Sequence, residues 1–398
     1  MTRQRLLTAL ITTGLVYAPA NLLVAQQAVR EIPSDDNARK TRLELRVGGA
    51  TDGNFEINQL GRMTVDGKGN VFVLDASDQR ILMYDANFRP IRWFGRKGAG
   101  PGEFQSASWI GIVRDSLWVI DRNNDRVTGF SLQDRGLRAY VVPGTGPSLR
   151  RIVAVLDNGL MAGAQTGNGI PGAPARRGLS YTRVDERGVQ INMILAGLPD
   201  VRSLVFTAAP RNSPTNIWRR VSPQPFRHQP WWTTVYGGTG VVLVTTVTES
   251  SRETDRLMVV KIGAHGDTLW RREFRYEGRR VASAEIRRVV DSLARPTTLR
   301  GAVIVPNRRM IEDSLERPVF WPPIAGIIAG IDGTIWLKLT SAASRGERYV
   351  MLSPDGVYEG TVELPPRFQL ASGSRQQLWG WRPDSDGLPI IERHRILR

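Results

Sequence analysis

Aromatic rings and arginines crowd into two stretches of this 398-residue chain, where together they could hold a sugar ring, a peptide or an anion. The first stretch, 198–230, carries Trp218, Arg219, Arg220, Phe226, Arg227 and His228, with Trp231 and Trp232 just beyond it. The second, 275–323, carries Arg308, Arg309, Phe320 and Trp321. Tryptophan faces receive sugars or cations, and the planar arginine fork matches carboxylate and phosphate. The competing role for each tryptophan is to pack the stretch onto its scaffold. Arg96 and Lys97, on a glycine-rich connector, and Trp109 just after it join Trp218, Arg227, His228, Trp231, Trp232 and Trp321 as the candidate ligand-binding set. No catalytic residue is assigned.

Other motifs match by letter and fail on their neighbouring residues. Gly167-Asn168-Gly169-Ile170-Pro171-Gly172 spells a dinucleotide fingerprint, but Pro171 would break the helix that such a loop must open. Asp121-Arg122-Asn123-Asn124-Asp125-Arg126 begins like a calcium loop. Arg126 then stands where the turn needs glycine, and Leu132 where it needs glutamate. His228, His265 and His394 are far apart in sequence. There is no serine-nucleophile elbow, and with no cysteine there is no thiolate metal site or disulfide. No cofactor is identified; calcium or zinc held by carboxylates from separate segments in a central channel stays open.

The formal charge of +16 raises nucleic acid as a partner. Only five of the 54 basic residues are lysine, and the arginines are spread over every segment rather than gathered on one stripe, which argues against it. Attraction to an anionic partner follows from the charge all the same. Met1 to Ala25 has the form of a bacterial secretory signal: Arg3 and Arg5, an apolar run from Leu6 to Tyr17, and cleavage after Ala20 or Ala25. The expected place is outside the cytoplasm, secreted or periplasmic, with no membrane span once the signal is gone.

The elements that must carry these residues are strands. The connector Phe94-Gly95-Arg96-Lys97-Gly98-Ala99-Gly100-Pro101-Gly102-Glu103-Phe104 cannot lie inside a strand or helix, because glycine costs backbone entropy and proline lacks an N–H. A weaker copy, Val47–Phe55, precedes the unit before it, so the module repeats. The first unit reads as strands 61–66, 71–75, 79–85 and 90–94, and the next as 109–114, 117–121, 125–131 and 138–142. The third strand recurs six times, last as Ile390–Ile396. The sixth unit lacks a fourth strand, while a spare strand, Arg42–Val47, precedes the first full unit. The spacing therefore predicts that Arg42–Val47 completes the last unit and closes a ring.

Trp109-Ile110-Gly111-Ile112 after the connector, Gly69-Asn70-Val71-Phe72-Val73-Leu74-Asp75 and Asp78-Gln79-Arg80-Ile81 resemble the NHL repeat of six-bladed propellers, of the NHL or TolB-like type. The likeness is close over Val47–Phe130. It implies an all-β, six-bladed β-propeller of four-stranded antiparallel blades, and structural roles for Asp75, Arg80, Asp121 and Arg126. Domain organisation follows: a signal peptide at 1–25, a linker at 26–41, and one propeller over 42–398 with insertions at 166–177, 198–230 and 275–323. The insertions are read as loops with one helix, Ser283–Leu293. In such blades all three emerge on one face, together with the blade-to-blade links, and loops on rigid scaffolds carry function. The first functional reading is a secreted module that binds a glycan, peptide or protein on that face. The alternatives are a metal-assisted hydrolase or lyase in the channel, as the lactonase-like and NHL-lyase-like propellers imply, and a structural part of an envelope complex.

Overall fold

The computed structural model describes residues 30–32, 38–49, 57, 59–133, 136–141, 151–166, 178–185, 189–199, 203–246, 254–299, 301–340 and 346–397. The signal segment 1–25 and residues 167–177 of the first insertion lie outside the described residues. The structure is all-β, built of four-stranded antiparallel sheets in a manner consistent with a β-propeller.

Each sheet is a run of hairpins, and the sequence shows why. In the first sheet (Leu60–Val65, Val71–Asp75, Arg80–Tyr84, Pro90–Phe94) the second strand is buried throughout. It is entered by a turn in which the Asp66 carboxylate accepts the backbone N–H of Lys68 (2.8 Å) and of Asn70 (2.9 Å), with Gly69 at a φ of 85°. An aspartate that mimics the backbone and a glycine free to go left-handed make that turn. The second sheet (Ala107–Val113, Ser116–Asp121, Arg126–Ser131, Leu137–Val141) and the third (Arg151–Leu156, Gly159–Thr166, Gly178–Val184, Gln190–Pro199) repeat the pattern. So do the fourth (Trp231–Thr234, Gly240–Thr246, Thr254–Gly263, Thr268–Glu277) and the fifth (Ile324–Ala329, Ile335–Leu339, Glu347–Leu352, Tyr358–Leu364).

The sixth sheet joins the two ends of the described chain. Gln369–Gly373, Gln377–Pro383 and Pro389–Ile396 supply three strands, and Thr41–Gly48 pairs antiparallel with Pro389–Ile396 as the fourth. Polar contacts fix this pairing. Both Nε and a terminal nitrogen of Arg46 donate to Glu392 Oε1 (3.0 and 2.8 Å), and Arg382 and His394 close on the same carboxylate at 3.1 Å. Burial pushes the Glu392 carboxyl up, but His394, Arg46 and Arg382 outweigh it and hold it at about 2. Glu44 meets Arg393 (3.3 Å) and Arg395 (2.5 Å) from the neighbouring strand.

Apolar clusters lie between successive sheets. Phe72, Leu74 and Ile81 of the first meet Ile110, Ile112 and Leu117 of the second. Val113 and Val127 meet Val155 and Leu160 of the third; Ala154 and Met161 meet Val241 and Leu243 of the fourth. Val242 and Val259 meet Ile327 and Val350 of the fifth, and Trp336 and Tyr349 meet Phe368 and Leu378 of the sixth. Trp379 and Ile391 of the sixth pack on Met63, Val65 and Val73 of the first.

The stretch before Thr41, expected as a linker, is partly paired. Arg30–Glu31 lies parallel against Phe274–Arg275 at the edge of the fourth sheet, and Ile32 is buried beside it. Arg39 bridges to Val362 of the fifth. The connector 94–104 is clamped. Arg126 donates to the carbonyls of Gly100 (2.5 Å) and Ala99 (2.6 Å), Asp121 accepts the N–H groups of Gln105 and Ser106, and Glu103 Oε2 accepts that of Gly100 (2.8 Å). Gly95 sits at a φ of 74°, where a Cβ would run into the Phe104 ring.

Candidate functional site: a cap built by two links

The long links 198–230 and 275–323 leave the third and fourth sheets and fold together. Expected as loops with one helix, they contain a seventh sheet, four-stranded and antiparallel. Its order is Trp218–Pro223, Ser203–Pro210, Ala302–Pro306, Thr297–Leu299. The helix expected over Ser283–Leu293 is present (α1), and a second, Arg308–Ser314 (α2), follows. Asn307 caps α2 by accepting the N–H of Met310 at 3.1 Å.

Alternation along the sheet decides what each face does. Leu204 and Phe206 point inward and join Phe226, Val290, Ile311 and Leu315 in a core made entirely of link residues, and Ile304, of the same parity, is buried too. The opposite parity puts Val221 against Val205, and Val305 against Ala209, on the outer face. There Ile217 and Val221 are 63% and 61% exposed, and Val303 and Val305 each 39%. Arg219 belongs to the same face, opposite Thr207. The segments 203–223 and 297–307 hold four arginines and no aspartate or glutamate. The two links together hold 15 basic and 7 acidic residues, a net +8 of the chain's +16.

Where the cap meets the fourth sheet, three titratable side chains converge. Asp255 and Tyr276 are directly opposed on neighbouring strands, and both are buried. His228, in the link just before Trp231, feels the Asp255 charge. Burial pulls the imidazole down to about 4, Arg227 adds to that, and Asp255 opposes it, so His228 is neutral at pH 7. Burial likewise raises the Tyr276 phenol, whose hydroxyl oxygen has no hydrogen-bond partner. Sequence reading found His228 and missed Asp255 and Tyr276. The pair signals itself only through strand register.

The candidate residues expected to bind ligand are placed as follows. Trp321 belongs to the cap core: its indole N–H donates to Glu285 (3.0 Å), its ring meets Phe226 edge-on at 4.6 Å, and Arg279 lies over it at 4.9 Å. Trp231 donates from Nε1 to the Ile324 carbonyl (3.2 Å) and so staples the fourth sheet to the fifth. Trp232 packs edge-on to Tyr181 of the third sheet at 5.0 Å. Trp109 is packed against the clusters on both sides of the third sheet. Trp218, on the cap sheet, donates to Asn216 at 3.0 Å. Arg227 is ion-paired with Glu316 across the two links. Arg96 and Lys97 stand exposed on the connector, with Arg96 paired to Glu103 at 2.7 Å. The cap thus gathers Trp218, Trp321 and Arg227, with His228, Trp231 and Trp232 at its junction with the sheets. Among the described residues, no group of three His, Asp or Glu side chains is arranged to hold a metal ion, and no helix is long and apolar enough to cross a membrane.

No family profile matches the chain, and no curated protein does. Among solved structures, a protein of Bacteroides fragilis is 12% identical, with 93% of this chain and 99% of that one covered and a TM-score of 0.48. A member of the DUF4221 family from Bacteroides vulgatus is 11% identical over 92% and 100% of the two chains, with a TM-score of 0.47. Virginiamycin B lyase from Staphylococcus aureus, crystallised with quinupristin, is 12% identical over 87% and 83%, with a TM-score of 0.34.

Proposed function

We propose that this chain is an exported, closed six-bladed propeller acting as a binding module, and that its cap takes an acidic peptide or protein segment. Closure by Thr41–Gly48 is supported by its pairing with Pro389–Ile396 and by the packing of the sixth sheet on the first. Export is supported by the form of residues 1–25, and mass spectrometry of the mature protein should find that segment removed.

The observation that carries the binding reading is the outer face of the cap sheet. Exposed β-branched side chains there stand beside arginines, with no carboxylate in the same segments to neutralise them. Arg219 on that face, and Arg211 at the end of its neighbouring strand, make no ion pair among the described residues. Apolar surface of this kind is stabilised by a partner that covers it, and the charge selects an acidic one. The test is a peptide array of acidic-aliphatic sequences with neutral and basic controls, read beside a glycan array at low and high salt. Acidic peptides should be retained and released as salt rises. The double variant R219E/V221E should lower retention about tenfold or more while the melting temperature holds. Equal retention of basic peptides, or retention unchanged in the variant, would defeat the reading.

A further inference from the structure

The opposite side of the molecule has only short turns, and a cleft opens there between the second and third sheets. Its volume is about 540 Å³, within the range of small-ligand sites. The hairpin turns at Val113–Ser116 and Leu156–Leu160 form its lip, and Trp118 and Ile191 give it apolar lining. Its charges are divided by wall. The second sheet supplies two guanidinium groups, Arg114 and Arg138; the third supplies Asp157, Asn158 and Asp185.

The groups on the two walls are left unmatched to one another. Arg114 and Arg138 make no ion pair among the described residues, although carboxylates line the same cleft. Asp185 is used by its own turn, accepting the Val189 N–H at 2.8 Å. Asp157 and Asn158 each keep a side-chain Oδ1 that is buried and has no hydrogen-bond partner. A buried acceptor left unmade is unfavourable, so two adjacent ones favour an arrangement that brings N–H donors to this wall. Arg114 is held at a φ of 53°, a left-handed conformation that a long side chain rarely adopts. That conformation is the one the first position of the two-residue turn between Val113 and Ser116 requires, so the hairpin itself fixes where the side chain starts.

We propose that this cleft binds a small zwitterion, a short peptide with free termini or a comparable amino acid derivative. Arg114 and Arg138 receive its carboxylate, and Asp157 with Asn158 receive its ammonium group. The guanidinium forks supply paired donors for a carboxylate. The Asp157 and Asp185 carboxylates in the lining supply the negative charge for an ammonium, which brings three N–H donors, and Asn158 adds an amide beside them. Trp118 and Ile191 offer apolar surface to the side chains between. A simple anion would leave the acceptors unsatisfied, and a simple amine would leave the arginines unpaired. The site is independent of the cap, and either could fail without the other.

The test uses the whole protein and calorimetric titration with a panel of free di- and tripeptides, each also N-acetylated and C-amidated. Free peptides should bind, and blocking either terminus should weaken binding tenfold or more. Arg114→Asn, which suits the left-handed backbone, should abolish the penalty for C-amidation while leaving that for N-acetylation. Asp157→Asn should do the reverse. Arg138→Gln, at an exposed position, provides a second carboxylate-side variant should Arg114→Asn fold poorly, and near-ultraviolet circular dichroism checks each fold. The proposal is overturned if no free peptide binds up to millimolar concentration, if blocked peptides bind as well as free ones, or if the folded variants keep the wild-type preferences.

Discussion

The blade sheets and the cap sheet are both four-stranded and antiparallel, yet they are assembled in opposite ways. A blade sheet takes consecutive strands, most of them joined by short turns, and it is stabilised by clusters shared with both neighbours. The cap sheet takes two strands from each of two links with the whole fourth sheet between them, and its core is its own. The sixth sheet stands between these cases, since its strands fit the blade pattern but one comes from the far end of the chain. Strand order and core ownership are thus separable: a blade depends on its neighbours, and the cap can lose its fold alone.

The largest expected effect comes from the strand shared by the two ends. Deleting Thr41–Gly48 removes a ladder of backbone bonds and leaves Glu392 buried without Arg46. The lost ladder bonds and strand burial carry most of the expected loss, because Arg46 is half-exposed and Glu392 keeps Arg382 and His394. The melting temperature should fall steeply and the exposed edge should promote association, both visible by calorimetry and size-exclusion chromatography. A monomer that melts like the wild type would dissolve the distinction between the sixth sheet and an open one.

Next in size is Phe206→Ala. It empties the cap core at a cost of about 3–5 kcal/mol. Hydrogen exchange should rise across 203–223 and 297–315 while the blade strands keep their protection. A uniform rise through the blades would mean that the cap does not fold as its own unit.

Acid should separate the two regions as well. The His228 imidazole is lowered from about 6.5 to about 4 in the folded protein, so the unfolded chain binds the proton first. The stability this neutral imidazole represents, up to about 3 kcal/mol, is complete above pH 6.5 and lost as pH falls towards 4. Glu392, held at about 2 against an ordinary 4.5, loses its contribution lower down, as pH falls from 4.5 towards 2. Urea melts along a pH series should therefore show two steps, and His228→Gln should remove only the upper one. The smallest effect is expected from Arg96→Ala, because the Arg96–Glu103 pair is exposed on the arginine side and water screens such pairs, so the melting temperature should hardly move.

The strands were legible because each blade announces itself locally. Val71–Asp75 and Pro90–Phe94 fall where the sequence pattern puts them, and Arg42–Val47 lies within the observed Thr41–Gly48. The α1 helix was legible for the same reason, with Glu285 at its third position and an apolar stripe behind it. The cap sheet was not. Ser203–Pro210 pairs with Ala302–Pro306, nearly a hundred residues away, and no local pattern records a partner so distant. The tryptophans were found by type, but type cannot say whether Trp231 faces a ligand or donates to Ile324. The zwitterionic cleft left no mark in the sequence, because Arg114 and Asp157 meet only through the packing of two sheets.

The pairing of Thr41–Gly48 with Pro389–Ile396 also sets an order of events in time. Its two strands are separated by about 350 residues, so this sheet cannot finish until nearly the whole chain is present. Loop-closure entropy rises only slowly with length, so the final joining is delayed more than it is weakened. Until then Thr41–Gly48 has no partner, and in a full-length chain not yet joined Pro389–Ile396 carries an unpaired edge while Glu392 lacks Arg46. A chain in this waiting state is open to chaperones, proteases and other copies of itself, and its yield should depend more on concentration during refolding than on the stability of the finished protein.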